Sequence, residues 1–123
     1  CMIIRDADKI DIFYETSEIF YTKKEIEEIE QSEITDEILV KMYEKKPINR
    51  NQLKKKGKLT QVLVMLAFLF DMNYIASYEI IYQEDYINKI FQRFDFKDKH
   101  TKMEMQKIQA FLNQYIKDKI SSL

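Results

Sequence analysis

The chain has 123 residues, of which 46% are hydrophobic and 33% are charged, which is enough for one core and one domain over residues 1–123 but not for two. Twenty basic and 21 acidic side chains give a formal net charge of −1, and this balance excludes a global electrostatic attraction to nucleic acid or to an anionic membrane. One Gly and one Pro leave few turn residues, so the composition predicts an all-α protein.

The first predicted helix covers residues 2–15 and carries a carboxylate within an apolar column. The residues expected to form its buried stripe recur at spacings of four, three and four: Ile3, Ala7, Ile10 and Tyr14. Beside this stripe, Asp8 has Ile4 one turn before it and Ile12 one turn after it. Because an ionised carboxylate is costly to bury unless it is paired or binds a metal, Asp8 is the first candidate for a site.

The spacing alone leaves three interpretations of Asp8 open. In the first, it lies at a solvated helix edge and pairs with Arg5, a contact worth about 0.3 kcal/mol. In the second, Asp8 is buried with a structural partner. In the third, it is a metal ligand, and the cation offsets the cost of removing the carboxylate from water. Spacing by itself favours the first interpretation, because structural ion pairs far outnumber metal sites.

Two short helices are predicted next. Thr22 and Glu25 have the spacing of a capping box and predict a helix that continues through Glu30. Either Ser32 or Thr35 is expected to cap the helix that follows.

A basic loop and a central helix are predicted in the middle of the chain. Residues 45–58 carry seven positive charges and no negative one, and they include Pro47 and Gly57. Aromatic residues are absent from this segment, so a solvated loop is favoured over a nucleic-acid contact. The next segment begins LTQVLVMLAFLF and is apolar almost all the way round, which predicts a central core helix around residues 59–72.

The last third of the chain predicts three more helices that complete a compact multi-helix bundle. The inward residues of the first two are Tyr74, Ser77, Tyr78, Ile81, Tyr86, Ile87, Ile90, Phe91 and Phe94. A second pair with capping-box spacing, Thr101 and Glu104, is expected to open the last helix. The inward face of that helix is predicted from Ile108, Phe111, Leu112, Tyr115 and Ile116.

The sequence favours a cytoplasmic protein without a membrane segment. Its longest apolar run, residues 62–70, is far shorter than the roughly 20 residues of a spanning helix. The single cysteine, Cys1, excludes an internal disulfide and fits a reducing compartment. The first residues also lack the pattern of a signal peptide.

The stretch IIRDADKIDIF, residues 3–13, resembles the last motif of the HD superfamily of metal-dependent phosphohydrolases. In that family an Ala-Asp-Lys or Ala-Asp-Arg stretch on a helix carries the final metal ligand, and Ala7-Asp8-Lys9 matches this pattern. LAFLFDMNYIASYEII, residues 66–81, is similar to the helical region that follows the motif in bacterial members. The resemblance covers residues 3 to about 95 and implies an HD-domain-like helical fold.

The resemblance implies that Asp8 is the last metal ligand of a hydrolase that acts on phosphate esters, nucleotide-like or other small phosphorylated substrates. The family's imidazole and carboxylate ligands suit a divalent Mn, Fe, Zn, Ni or Mg ion. Lys9 is a candidate contact for substrate phosphate, and Asp11 is a candidate hydrogen-bonding group behind the ligands. For both residues a solvated position is favoured, and Asp6 is expected at the surface.

The family's upstream His and His-Asp motifs are absent from this sequence, and its only histidine, His100, lies far downstream. Because the chain starts with Cys1, we expect it to be the C-terminal portion of a larger HD-type domain and to be inactive by itself. Its expected partner is the missing N-terminal part of the domain or a second copy of the chain. The alternative is a non-catalytic helical module for protein interaction or regulation.

Overall fold

The computed structural model describes residues 2–19, 21–49, 51, 53 and 57–121, with the backbone alone at residues 2–5. Within these residues the chain forms seven α-helices and no strand, which confirms the predicted all-α bundle. The helices are α1 (Met2–Glu18), α2 (Lys23–Glu30), α3 (Asp36–Tyr43), α4 (Lys58–Leu66), α5 (Ile75–Gln83), α6 (Tyr86–Gln92) and α7 (Lys99–Ser121). None of these described helices combines the length and the apolar character needed to cross a membrane.

The starts of α2 and α3 follow the predicted capping chemistry. The Glu25 amide donates to Thr22 Oγ1 at 3.2 Å, and the Thr22 amide donates to Glu25 Oε1 at 3.1 Å, which confirms the capping box. Thr35 rather than Ser32 caps α3, since its hydroxyl accepts from the amide of Ile38 at 3.5 Å. These caps satisfy amides that a helix cannot pair internally.

The predicted capping box at the start of α7 is wrong. The helix begins at Lys99, and Asp98 Oδ2 accepts from the Thr101 amide at 3.0 Å and from its hydroxyl at 2.9 Å. Thr101 is completely buried and accepts from the amide of Ile34 at 2.9 Å. The carboxylate of Asp98 therefore caps the helix, and the hydroxyl of Thr101 ties α7 to the segment before α3.

The central helix lies where its apolar character predicts, but it is shorter than expected. The α-helix ends at Leu66, and the chain tightens into a 3₁₀ turn over Ala67–Asp71. Leu63, Leu66 and Leu69 are completely buried in one continuous core with the inward face of α7. Much of the predicted loop before this helix, namely residues 50, 52 and 54–56, lies outside the described residues.

The buried face of α1 differs from the predicted stripe. Helix α1 packs against α5 and α6, and its fully buried apolar anchor is Phe13. Ala7 and Tyr14 are exposed and Ile10 is half-buried, while the side chain of Ile3 lies outside the described part. The buried face is therefore rotated by about 100° from the predicted one, which is one residue along a helix.

The prediction missed the buried face of α1 because several of its residues are polar. Asp6, Thr16 and Ser17 line the buried side of α1. Thr16 Oγ1 donates to the Ile12 carbonyl and Ser17 Oγ to the Tyr14 carbonyl, each at 2.7 Å. A buried polar group is tolerated when it is hydrogen-bonded, so a search for apolar periodicity alone misses this face.

Candidate functional site

The charged side chains of residues 6–11 on α1 point in different directions. Asp6 was expected at the surface, but it is only 2% exposed, so that prediction is wrong. Both of its carboxylate oxygens accept from the amide of Asn73 at 3.0 Å, and Oδ2 accepts from the amide of Tyr74 at 3.1 Å. The Asn73 side-chain amide donates to Oδ1 at 2.9 Å, and the Ser77 hydroxyl donates to Oδ2 at 2.6 Å.

These hydrogen bonds cap α5 from another helix. Tyr74, the residue that precedes α5, provides no capping hydrogen bond from its own side chain. The carboxylate of Asp6 takes this place, and a negative charge at a helix N-terminus is favoured by the aligned peptide dipoles. Asp6 therefore fixes α1 to the start of α5 through contacts between residues 67 to 71 positions apart in the sequence.

The capping contacts also keep Asp6 ionised. Burial by itself raises the pKa of this carboxyl, but the hydrogen bonds from Ser77, Asn73 and Tyr74 lower the pKa more, so that it lies below its ordinary value of 3.8. Hydrogen bonds of this kind favour the charged form of a carboxylate.

The stability of the fold is expected to depend on the ionisation of Asp6. A carboxylate whose pKa is lower in the folded state stabilises the fold above its ordinary pKa, and that contribution is lost as the pH falls through the folded-state pKa. We expect the unfolding free energy to fall more steeply from about pH 4 to about pH 2 in the wild type than in Asp6→Asn, which cannot ionise there. Urea unfolding at a series of pH values measures both slopes, and equal slopes would contradict this assignment.

The favoured solvated position of Lys9 is wrong, because its side chain is turned into the fold. Its side chain is 12% exposed, and its ammonium is 3.3 Å from Asp71 Oδ2 and 3.2 Å from the Asp71 carbonyl oxygen. Asp71 ends the 3₁₀ turn, so Lys9 joins α1 to the end of the central apolar segment. A contact of Lys9 with substrate phosphate stays a prediction, and the observed role of this side chain is to hold α1 in place.

Asp8 and Asp11 are exposed on the outer side of α1. Within the described residues Asp8 makes neither a hydrogen bond nor an ion pair, and the side chain of its possible partner Arg5 lies outside that part of the chain. No three potential metal-ligating side chains cluster in the described part, where His100 is an exposed residue of α7. The Asp8 carboxylate by itself is not a complete metal site.

An apolar groove of about 370 Å³ runs between α1 and α5 beside the Asp6 cap. Its lining residues are Asp6, Ala7, Ile10, Tyr74, Ala76, Ser77 and Ile80. Ala7 and Ile10 belong to the stripe that was expected to be buried. Apolar periodicity therefore identified a real apolar face, which in this structure borders an open groove rather than the core.

Sequence reasoning missed the residues that hold the motif in place. Asn73 and Ser77 bind Asp6, and Asp71 binds Lys9. The sequence does carry a signal for the contact with Asp6. The residue directly before α5 is Tyr74, which is a poor helix cap, so an acceptor from elsewhere in the chain is expected there. Sequence alone does not show which distant carboxylate takes that place.

Comparison with protein-family models, with curated proteins and with solved structures finds no match to this chain.

Proposed function

We propose that this chain carries the last metal-ligand motif of an HD-type phosphohydrolase domain, with Asp8 as the ligand and a small phosphorylated molecule as substrate. The observation that supports the proposal is the division of roles within residues 6–9. Asp6 and Lys9 are engaged inside the fold, whereas Asp8 between them is exposed and has no partner among the described residues. A charged residue held without a structural partner is available to bind a ligand.

The surroundings of Asp8 would hold its backbone in a fixed position. Asp6 anchors α1 to α5, and Lys9 anchors it to the 3₁₀ turn. Near the end of α1, Arg93 Nη1 donates to the Thr16 carbonyl at 2.7 Å. A ligand on a helix that is fixed by such contacts is better preorganised than one on a mobile loop.

A single carboxylate does not hold a catalytic metal, so the proposal requires further ligands from outside the described residues. The ligand types of the family, imidazole and carboxylate, are compatible with Mn, Fe, Zn, Ni or Mg. A metal bound there would supply an activated water molecule and would polarise the phosphoryl oxygen. Asp11 lies three residues from Asp8, on the same side of α1, and is the nearest exposed carboxylate in sequence that could accept a hydrogen bond beside the ligands.

The experiment uses the longest product of the gene that contains this chain. We expect it to retain a divalent metal after purification, measured by mass spectrometry of the elements, and to hydrolyse p-nitrophenyl phosphate. Treatment with a chelator should remove the activity and Mn²⁺ should restore it, because the metal supplies the activated water. A well-folded product that neither binds metal nor hydrolyses phosphate esters would contradict the proposal.

The second candidate function is a helical module for protein interaction. The open apolar groove between α1 and α5 favours it, because exposed apolar surfaces of this kind often mark binding sites. This function requires neither metal nor hydrolysis, so the same experiment separates the two candidates.

A further inference from the structure

The buried polar side chains at the base of the groove between α1 and α5 are already hydrogen-bonded to each other. Ala7 and Ile10 come from α1, and Ala76 and Ile80 come from α5. The polar groups at its base belong to the Asp6 cap, in which the Ser77 hydroxyl donates to the carboxylate. An occupant of this groove therefore gains from apolar contact rather than from hydrogen bonds to the floor.

Large exposed side chains line the groove, and one of them extends its apolar surface along α1. Ile80 is 42% exposed, and Tyr74 at the start of α5 is 43% exposed. Tyr14 lies one turn beyond Ile10 on α1, is 45% exposed, and places its ring 6.2 Å from that of Tyr86. Tyr14 thus extends the apolar surface one turn along α1 beyond the cavity, a shape that suits an amphipathic helix in a groove.

The Tyr14 end of this surface is acidic. Asp11 lies three residues before Tyr14 on α1, and Glu84 lies four residues after Ile80 at the end of α5, so each acid shares a helix face with an apolar residue of this surface. Burial raises the pKa of the Tyr86 hydroxyl, and the negative charges of Glu84, Asp11 and Glu18 raise it further. The one described basic side chain on α1 and α5 is Lys9, whose ammonium is engaged with Asp71. Beyond the two helices, Lys89 of α6 lies 3.8 Å from Glu18, whereas Asp11 and Glu84 are exposed and form no ion pair within the described residues.

We propose that this groove binds an amphipathic helix of a partner polypeptide, with an apolar stripe against Ile10 and Ile80 and with Lys or Arg residues against Asp11 and Glu84. The apolar stripe supplies affinity, and the basic residues set the direction in which the helix lies. A second copy of this chain that used the same face would offer no described basic side chain of α1 or α5 to these acids except Lys9, whose ammonium is engaged with Asp71. The proposal does not depend on the metal site.

The probe is a synthetic helical peptide with leucines at every third or fourth position and lysines beside them at one end. A matched peptide carries glutamates in place of the lysines. We expect the lysine peptide to shift amide resonances of α1 and α5 in a titration followed by ¹⁵N NMR, and to bind at least about tenfold more tightly than the glutamate peptide at low salt. The difference should shrink as salt is added.

Variants of the protein locate the contact. Ile80→Glu should abolish binding of the lysine peptide, whereas Val40→Glu should not, since Val40 is 61% exposed on the distant helix α3. Replacing both Asp11 and Glu84 by Lys should make the glutamate peptide bind more tightly than the lysine peptide. The apolar residues of the groove are unchanged in this variant, so the reversal would report on charge alone.

Three outcomes would overturn the proposal. The first is equal binding of the two peptides, and the second is a set of shifted resonances outside α1 and α5. The third is a dimer of the chain alone in sedimentation that Ile80→Glu dissociates, because a second copy would then be the occupant.

Discussion

Replacing Asp8 by Asn in the longest product of the gene is expected to reduce hydrolysis of p-nitrophenyl phosphate by at least about 100-fold. Loss of a group that merely supports a metal ligand already costs about 10- to 100-fold, and Asp8 is proposed as a ligand itself. Because Asp8 is exposed and makes no described contact within the fold, the substitution should leave the helical circular dichroism unchanged. The measurement is the initial rate with saturating Mn²⁺.

Asp11→Asn is the matched control for this prediction. Asp11 is also an exposed carboxylate on the outer side of α1, three residues along the helix. Its substitution should reduce the rate far less, since a group beside the ligands tunes the site without holding the metal. Full activity of Asp8→Asn would remove Asp8 from the site, and an equal loss in both variants would indicate a general electrostatic effect.

Replacing Asp6 by Ala is expected to lower the unfolding free energy by about 3 kcal/mol, a large part of the stability of a small domain. The substitution removes the acceptor of five hydrogen bonds from four donors: the Ser77 hydroxyl, the backbone amides of Asn73 and Tyr74, and the side-chain amide of Asn73. Unpaired buried donors cost free energy beyond the lost bonds. Urea unfolding followed by circular dichroism at neutral pH measures the change.

Conservative variants distinguish the cap from a simple packing effect. Asp6→Asn keeps the size of the side chain but loses the charge and one acceptor, so we expect an intermediate loss of stability. Ser77→Ala removes one of the five hydrogen bonds and should cost about 1 to 2 kcal/mol. If Asp6→Ala unfolds at the same urea concentration as the wild type, Asp6 does not cap α5 in solution.

Local sequence signals predicted the helices well where the chemistry is local. The capping box of Thr22 and Glu25 involves residues three apart, and it forms as expected. The central helix was predictable because its residues are apolar on all sides, which requires that other helices surround it. The end of that helix was not, because the 3₁₀ turn after Leu66 has no distinct residue pattern in this chain.

The surroundings of the motif depend on contacts between distant parts of the chain, and these were not predictable from the sequence. Asp6 is buried because its carboxylate accepts hydrogen bonds from Asn73 and Ser77, which lie at the start of a helix about 70 positions further along the chain. The apolar stripe of α1 was assigned to the core because periodicity shows which residues share a face and not what covers that face. In the structure that face borders the groove.

The same distinction applies within the motif. From the sequence, Asp6, Asp8 and Asp11 are three carboxylates on one helix, and spacing favoured a solvated helix edge for Asp8, which agrees with its exposed position in the structure. The buried one is Asp6, because its partners are polar groups rather than isoleucines. The structure therefore separates a buried carboxylate that holds the fold, Asp6, from an exposed one, Asp8.

The difference in unfolding free energy between Asp6→Ala and Asp8→Ala tests this separation most directly, in the 123-residue chain and under identical conditions. We predict that Asp8→Ala stays within about 0.5 kcal/mol of the wild type, as exposed positions usually do, while Asp6→Ala loses about 3 kcal/mol. Equal destabilisation by the two substitutions, or a larger loss in Asp8→Ala, would contradict the assignment of Asp6 to the fold and of Asp8 to an exposed position without a structural role.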